Sequence, residues 1–392
     1  MKTIMKRIAV FALIAAMTVA AFCGCSKKTG TSSADSMFGV MEESLNLDKW
    51  EGTVTLTMDT AQMNVSADLT AVCDGNATSF SAKISAGGFS FEIKNFVVAT
   101  KDAMYFNIGA IYDSMGSYLA ATGLSLEDMG LEKDWIVYTA EDAFKKDTDF
   151  SSSVLDAMDE AYKDLIVEED GEYKLAFSDK EGAQKFLDAT VALLEKNKDK
   201  WSEDLADAMS KVDYSSIKND IIDANEKAGN VLDEDTIDEM FSVDEDTVKV
   251  PSKEDCAELF DKAIESLKEG DLEDFEGNVA LTASAKGKEY KYKAEMAYED
   301  ESISLEAVIN KATDVKVEVP SEDEAVSYAD FIIKYYSYIE NSYGYDDDYD
   351  DDYYYDEEDF FDDEEDYYDD EEDFYDDDDF YDIFGKDAEI FN

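Results

Sequence analysis

The residues able to do chemistry are bounded first by an omission: the 392-residue chain has no histidine. Ser-His-Asp and Cys-His catalysis, and histidine-ligated metal centres, are therefore removed together. Four cysteines occur, at positions 23, 25, 73 and 256. Cys23 and Cys25 close an apolar N-terminal run. Cys73 falls on a strand pattern and Cys256 on a helix pattern, each at an apolar-face position. Two thiols cannot build a structural zinc site. They can join in one disulfide in an oxidising compartment, but the plainer reading is two buried small hydrophobes. Ser215 and Lys218 have the S-x-x-K spacing of serine acyl-transfer enzymes. No S-D-N follows, and the only K-T-G, at Lys28, Thr29 and Gly30, precedes the serine. No glycine-rich phosphate loop follows a strand pattern. Paired carboxylates, the machinery of glycoside hydrolysis, carry no signal among 97 acids. Asp346, Asp348 and Asp350 have the alternate spacing of a calcium loop, yet Asp351 stands where that loop turns on glycine. They are weak metal candidates. This inventory predicts a protein that is not an enzyme and implies no cofactor.

The N-terminus carries a different chemistry. Lys2, Lys6 and Arg7 precede an uncharged, largely apolar run over residues 8–22, and Gly24 and Cys25 follow. Charge, short apolar segment and small residue in that order read as a signal peptide rather than a membrane span. Ending on Cys25, the segment resembles a bacterial lipoprotein signal. The resemblance covers the first 25 residues. Gly24 and Cys25 match the pattern, while Phe22 stands where leucine is usual. It implies cleavage after Gly24, acylation of Cys25, and a protein lipid-anchored at the extracytoplasmic face of the cell membrane. Residues 1–24 are then the signal. Residues 25–36, ending in SKKTGTSSADS, read as a flexible tether.

The formal net charge is −63. Nucleic acid is repelled by such a field, and cations or basic polypeptides are attracted. Much of the charge is local. In residues 345–382 every side chain is Asp, Glu, Tyr or Phe, and 25 of the 38 are acidic. Carboxylate repulsion without an aliphatic nucleus predicts that residues 341–392 are disordered. Such a tail suits Ca2+ or cationic polypeptides as partners, its rings adding cation–π contacts.

These features need a body to carry them. Period-two alternation over residues 50–111 predicts five antiparallel strands, broken at Asp74, Gly75 and Asn76 and at Gly87 and Gly88. A second such region, residues 275–319, predicts four, the last carried by Val315, Val317 and Val319. The two regions read as related copies at an offset of 225: Trp50, Gly52, Val54 and Leu56 align with Phe275, Gly277, Val279 and Leu281. Preserved parity is the stronger sign, since a one-residue slip swaps the faces of a strand. A proline and serine follow Val250 and again Val319, which predicts helices starting at Ser252 and Ser321. Between the regions, helical stripes fall at residues 154–165, 183–194 and 217–228, with Ser178 and Glu181 as a capping box. Asp170 and Gly171 mark a hairpin, and Trp135 to Tyr138 a strand.

The predicted class is α+β: antiparallel meanders in two related copies, packed with amphipathic helices, plus the disordered acidic tail. Residues 37–250 form a first unit with a helical insertion, residues 251–340 a second, shorter one. With Met104 to Phe106 and Trp135 to Tyr138 as strands and the V-x-V-x-V-P run of 315–320, the body resembles the LolA/LppX-like lipoprotein carriers. That resemblance implies a curved sheet covered by helices, with acyl chains held between them. The expected activity is binding of an apolar or amphiphilic ligand, such as a lipid. The alternative is a surface interaction protein working through its tail.

Overall fold

The computed structural model describes residues 35–60, 63–116, 125–126, 131, 133–139, 148–209, 214–233, 236–237, 240, 242–243, 246–247, 251–268, 277–298 and 301–343. The chain divides into two units after Gly344, and the described residues all belong to the first. Gly24, Cys25, the tether up to residue 34, and the tail with Asp346, Asp348 and Asp350 lie outside them.

Helix α1 (Met37–Leu45) opens the fold. Its N-cap is Ser36, whose hydroxyl accepts from the Gly39 N–H at 2.9 Å. Five strands follow: β1 (Trp50–Asp59), β2 (Asn64–Cys73), β3 (Ala77–Ala86), β4 (Phe89–Thr100) and β5 (Ala103–Asn107). Then come α2 (Ile108–Ser114), β6 (Trp135–Thr139), α3 (Thr148–Tyr162), β7 (Ile166–Glu169) and β8 (Glu172–Phe177). Helices α4 (Lys180–Met209) and α5 (Tyr214–Ala228), the short β9 (Ser242–Val243) and β10 (Asp246–Thr247), and α6 (Lys253–Lys268) complete the middle of the chain. The last elements are β11 (Gly277–Lys286), β12 (Glu289–Tyr298), β13 (Glu301–Lys311), β14 (Ala325–Ser327) and α7 (Tyr328–Tyr343).

Twelve strands form one sheet in the order β14-β6-β5-β4-β3-β2-β1-β13-β12-β11-β8-β7. Every pairing is antiparallel except β14 on β6. The α+β class holds. The two strand regions join through β1 and β13, with Val54 opposite Ala307 and Leu56 opposite Leu305. The inserted hairpin β7–β8 extends the far edge by pairing β8 with β11. Asp170 and Gly171, at φ +54° and +76°, make its two-residue turn.

Packing follows the side-chain periods. On α4, Ala183, Phe186, Leu193 and Trp201 lie on one stripe and are all buried. Phe186 stacks on Tyr162 of α3 at 5.2 Å and on Phe177 of β8 at 5.3 Å. Phe38 of α1 sits 6.1 Å from Tyr162. Helix α1 lies on β8, β11 and β12. There the buried Tyr292 hydroxyl donates to the Val40 carbonyl at 3.1 Å. Burial pushes the Tyr292 phenol far up, and it pushes Tyr290 up to about 12, aided by Glu43. Helices α5 and α7 form a separate small core through Ile221, Ala224, Ala329 and Ile333.

Four local expectations are corrected. Residues 315–319 are not a strand: both edges of β13 are already taken, by β1 and β12. The segment instead crosses the other side of the sheet, where Val317 is buried with Ala77 and Val98. The last helix begins at Tyr328, not Ser321. The Ser321 N–H does donate to Glu324 at 2.9 Å, but that box closes a single 3-10 turn ahead of β14. The long helix is capped by Asp179, which accepts from the Gly182 N–H at 2.8 Å, rather than by Ser178. Ile108, expected to end a strand, starts α2 with Asn107 as its cap.

Candidate functional site

The feature with functional content is one face of the sheet. On β1 it carries Trp50, Val54, Leu56 and Met58; the ladders extend it row by row. Met58 lies opposite Val65 and Ile303, Val65 opposite Ala86, and Ala86 opposite Phe89. The next row is Leu305, Leu56, Ala67, Ile84 and Phe91, and the next Ala307, Val54, Leu69, Ala82 and Ile93. Antiparallel pairing of strands in phase makes this inner face apolar throughout. Toward the hairpin ends the outer face of the same strands is polar, while near Ala77 and Val98 it holds the small apolar cluster under the 316–320 crossing. Thr55 donates to Asp68 at 2.7 Å, and Ser85 and Ser90 are bonded at 3.0 Å. Such a sheet is wet on one side and needs cover on the other.

Cover is uneven. Near β8, β11, β12, β13 and the start of β1 the inner face lies in the main core, and Ala283, Tyr292, Ala307, Ile309, Trp50, Ala71 and Cys73 are buried. Toward the hairpin ends of β1–β4 the same face opens. Leu56, Met58, Val65, Ala67, Ile84, Phe91 and Ile93 are only half-buried. At the two adjoining hairpin ends Met63 is 48 % and Phe89 82 % exposed. Single exposed hydrophobes are ordinary, but contiguous apolar rows mark a binding surface. The arrangement can hold an elongated apolar group along the strands, and the described side chains of these rows are apolar.

Phe89, Phe91, Met104 and Phe106 also lie on this face. Phe96 does not. The register shifts between Phe80 and Ala82, and Asn95 takes φ +48°. Phe96 thereby falls in phase with Val98, on the outer face. Period-two reading could not find the open region, because alternation is equally strong in the covered and uncovered rows. The signal available was charge: residues 60–67 and 75–91 contain no acid.

Lys218 lies on α5, and the side chain of Ser215 is outside the described set. Cys256 is free and fully buried, and burial pushes its thiol up. Cys73 is also buried but takes part in a disulfide, so the two are not bonded to each other. Among the described residues no group of three or more His, Cys, Asp or Glu side chains is placed to hold a metal. Nor does any of their helices have the length and apolarity to cross a membrane. A cleft of about 260 Å³ between β6 and the α5/α7 pair brings Asp220, Asp223, Lys227 and Asp330 to its rim, all solvent-exposed. Another of about 540 Å³ lies beside the 316–320 crossing.

No protein-family model, curated protein or solved structure matches the chain.

Proposed function

We propose that this is an exported lipoprotein, anchored through Cys25 at the extracytoplasmic face of the cell membrane, that binds an apolar or amphiphilic ligand without transforming it. The observation that carries the ligand reading is the inner sheet face, whose apolar rows run on past the buried core. Burying an acyl chain there removes apolar surface of both partners from water, worth about 25 cal/mol per Å². The leader sequence supplies the location. An internal duplication accounts for the body: the meanders β1–β2–β3 and β11–β12–β13 join head to tail, and the aligned Gly52 and Gly277 are both buried.

Displacement of a fluorescent fatty acid from the purified protein tests the ligand reading. Phe91→Asp and Ile84→Asp put a charge on the open face, and each is expected to weaken binding by at least about tenfold. Ser85→Asp, on the outer face of the same strand, is expected to bind as the parent does. A parent protein that takes up no fatty acid or lysolipid overturns the reading. In the alternative, the acidic tail is the working part and gathers Ca2+ or cationic polypeptides. Deleting residues 341–392 separates the two: amphiphile binding survives the deletion if the sheet is the site.

A further inference from the structure

We infer that the hairpin ends of β1–β2 and β3–β4 form a second membrane contact, seated among the head groups and upper acyl chains of the bilayer. The inference rests on the proposed lipid anchor only for the tether geometry below.

The two ends lie side by side, because Val65 pairs with both Met58 and Ala86, and Ala86 with Phe89. Each presents a large apolar side chain to solvent, Met63 at 48 % and Phe89 at 82 % exposure. The Thr60 N–H donates to the Met63 carbonyl at 3.1 Å, and the Met63 N–H returns to the Thr60 hydroxyl at 3.1 Å. Gly87 and Gly88, at φ +55° and +90°, form the other turn, and a Cβ at either would meet nothing within 4 Å. The β3–β4 tip is thus uncrowded, as insertion between head groups requires.

Charge supplies the second, independent argument. In a chain of net charge −63, residues 60–67 and 75–91 carry no acid and one base, Lys83. An acidic surface is repelled by anionic lipid, so contact is favoured where carboxylates are missing. The nearest carboxylate is Asp59, the exposed last residue of β1, which alternation puts on the outer face away from Met58, and Glu299, Asp300 and Glu301 belong to the neighbouring connection. The contact is therefore predicted to prefer zwitterionic over anionic lipid.

Reach agrees with this placement. The described chain enters at Asp35, ahead of α1, which lies over β8, β11 and β12 on the inner face. Six strand spacings separate β8 from β3, roughly 29 Å at about 4.8 Å each. Residues 26–35 extend to about 33–36 Å. An anchor at Cys25 and the tips can occupy one membrane surface together. The open rows, which start at the tips, then give an acyl chain a continuous apolar path from bilayer to sheet.

The test uses the full-length lipidated protein carrying Phe89→Trp, reconstituted in phosphatidylcholine vesicles with and without dibrominated acyl chains. Wild type corrects for the three native tryptophans. The introduced indole is expected to emit to the blue of its position in buffer and to lose about half its intensity to bromine. Adding Met63→Asp is expected to abolish both effects while circular dichroism stays unchanged. Emission and intensity identical to buffer overturn the inference. So does a blue shift without lipid that grows with protein concentration, which assigns the tips to contact between copies. Intact mass of the same sample reports the Cys25 lipid separately. An unlipidated protein that is still quenched by vesicles defeats the anchor and leaves the tips standing; a lipidated one that is not quenched does the reverse.

Discussion

Asp74 shows how one carboxylate ties distant parts of this chain. It accepts from the Val317 N–H at 3.0 Å, and from Asn76 and Ala77 at 2.9 and 3.1 Å. Burial pushes this carboxyl up, but the three N–H donors and the Lys49 charge outweigh it and hold the group below the usual carboxylate range. A depressed folded value gives stability that is present above the unfolded value and lost as pH falls through the folded one. Asp74→Ala is therefore expected to cost about 1–3 kcal/mol near neutrality, with the gap closing in acid. Urea titrations at neutral and acid pH measure it; a gap independent of pH contradicts the assignment. Asp159 has the opposite sign. Burial raises its carboxyl despite hydrogen bonds from the Ser36 hydroxyl and the Phe38 N–H. Its contribution is full below the unfolded value and is lost as pH rises through the folded one. Asp159→Asn is thus expected to leave neutral-pH stability unchanged or slightly raised. The cysteines give a third residue-scale prediction. Loss of Cys23 with the signal and a thioether at Cys25 would leave Cys73 and Cys256 as the cysteines of the lipidated protein, both buried. Thiol labelling after unfolding and reduction, read by peptide mapping, is expected to mark Cys73 and Cys256 alone. Label on Cys25 contradicts lipidation there.

Helices α4 and α6 form a seam whose ion pairs are conspicuous and whose stability lies elsewhere. Glu203–Lys253, Lys198–Asp261 and Glu195–Lys268 bridge it at 2.7, 2.7 and 2.5 Å. Exposed pairs of this kind contribute about 0–1 kcal/mol. Between them Trp201 is buried and lies 6.3 Å from Phe260, with Ser202 and Cys256 fully enclosed. Trp201→Ala is expected to cost about 3–5 kcal/mol, and Lys198→Ala less than about 1 kcal/mol. Chemical denaturation of both variants checks this; equal losses would contradict a seam held by packing. Elements of this kind were legible in the sequence, because a 3.6-residue stripe or a two-residue alternation is a local property. The strands from Trp50 to Asn107 and from Gly277 to Lys311, the Asp170–Gly171 turn, and the Ser252 cap are all found where the pattern put them. What failed was non-local. Val315, Val317 and Val319 alternate like a strand, but no free ladder remained beside β13. Ser321 and Glu324 make their box, yet the chain had to reach β6 before a helix could begin. Gaps in the cover of the inner face were equally invisible, since they depend on where helices end in space.

At the scale of the whole molecule, two opposed properties coexist. The chain is strongly acidic, with a sequence pI near 4.1, yet the rows on one face at one end of its sheet are apolar. Dispersed charge keeps such a molecule soluble and away from anionic surfaces; a local apolar face decides what it holds. Joining two meanders edge to edge lengthens that face, and among the described residues its half-buried rows lie at the hairpin ends of β1–β4. The central claim is that a membrane-tethered body holds an amphiphile on this face, and native mass spectrometry of the protein extracted from its own membrane tests it most directly. The account predicts a chain beginning at a lipid-modified Cys25 that carries a further, non-covalent amphiphile, released on gas-phase activation and lost in Phe91→Asp. A bare polypeptide mass, with neither covalent lipid nor releasable ligand, would contradict it.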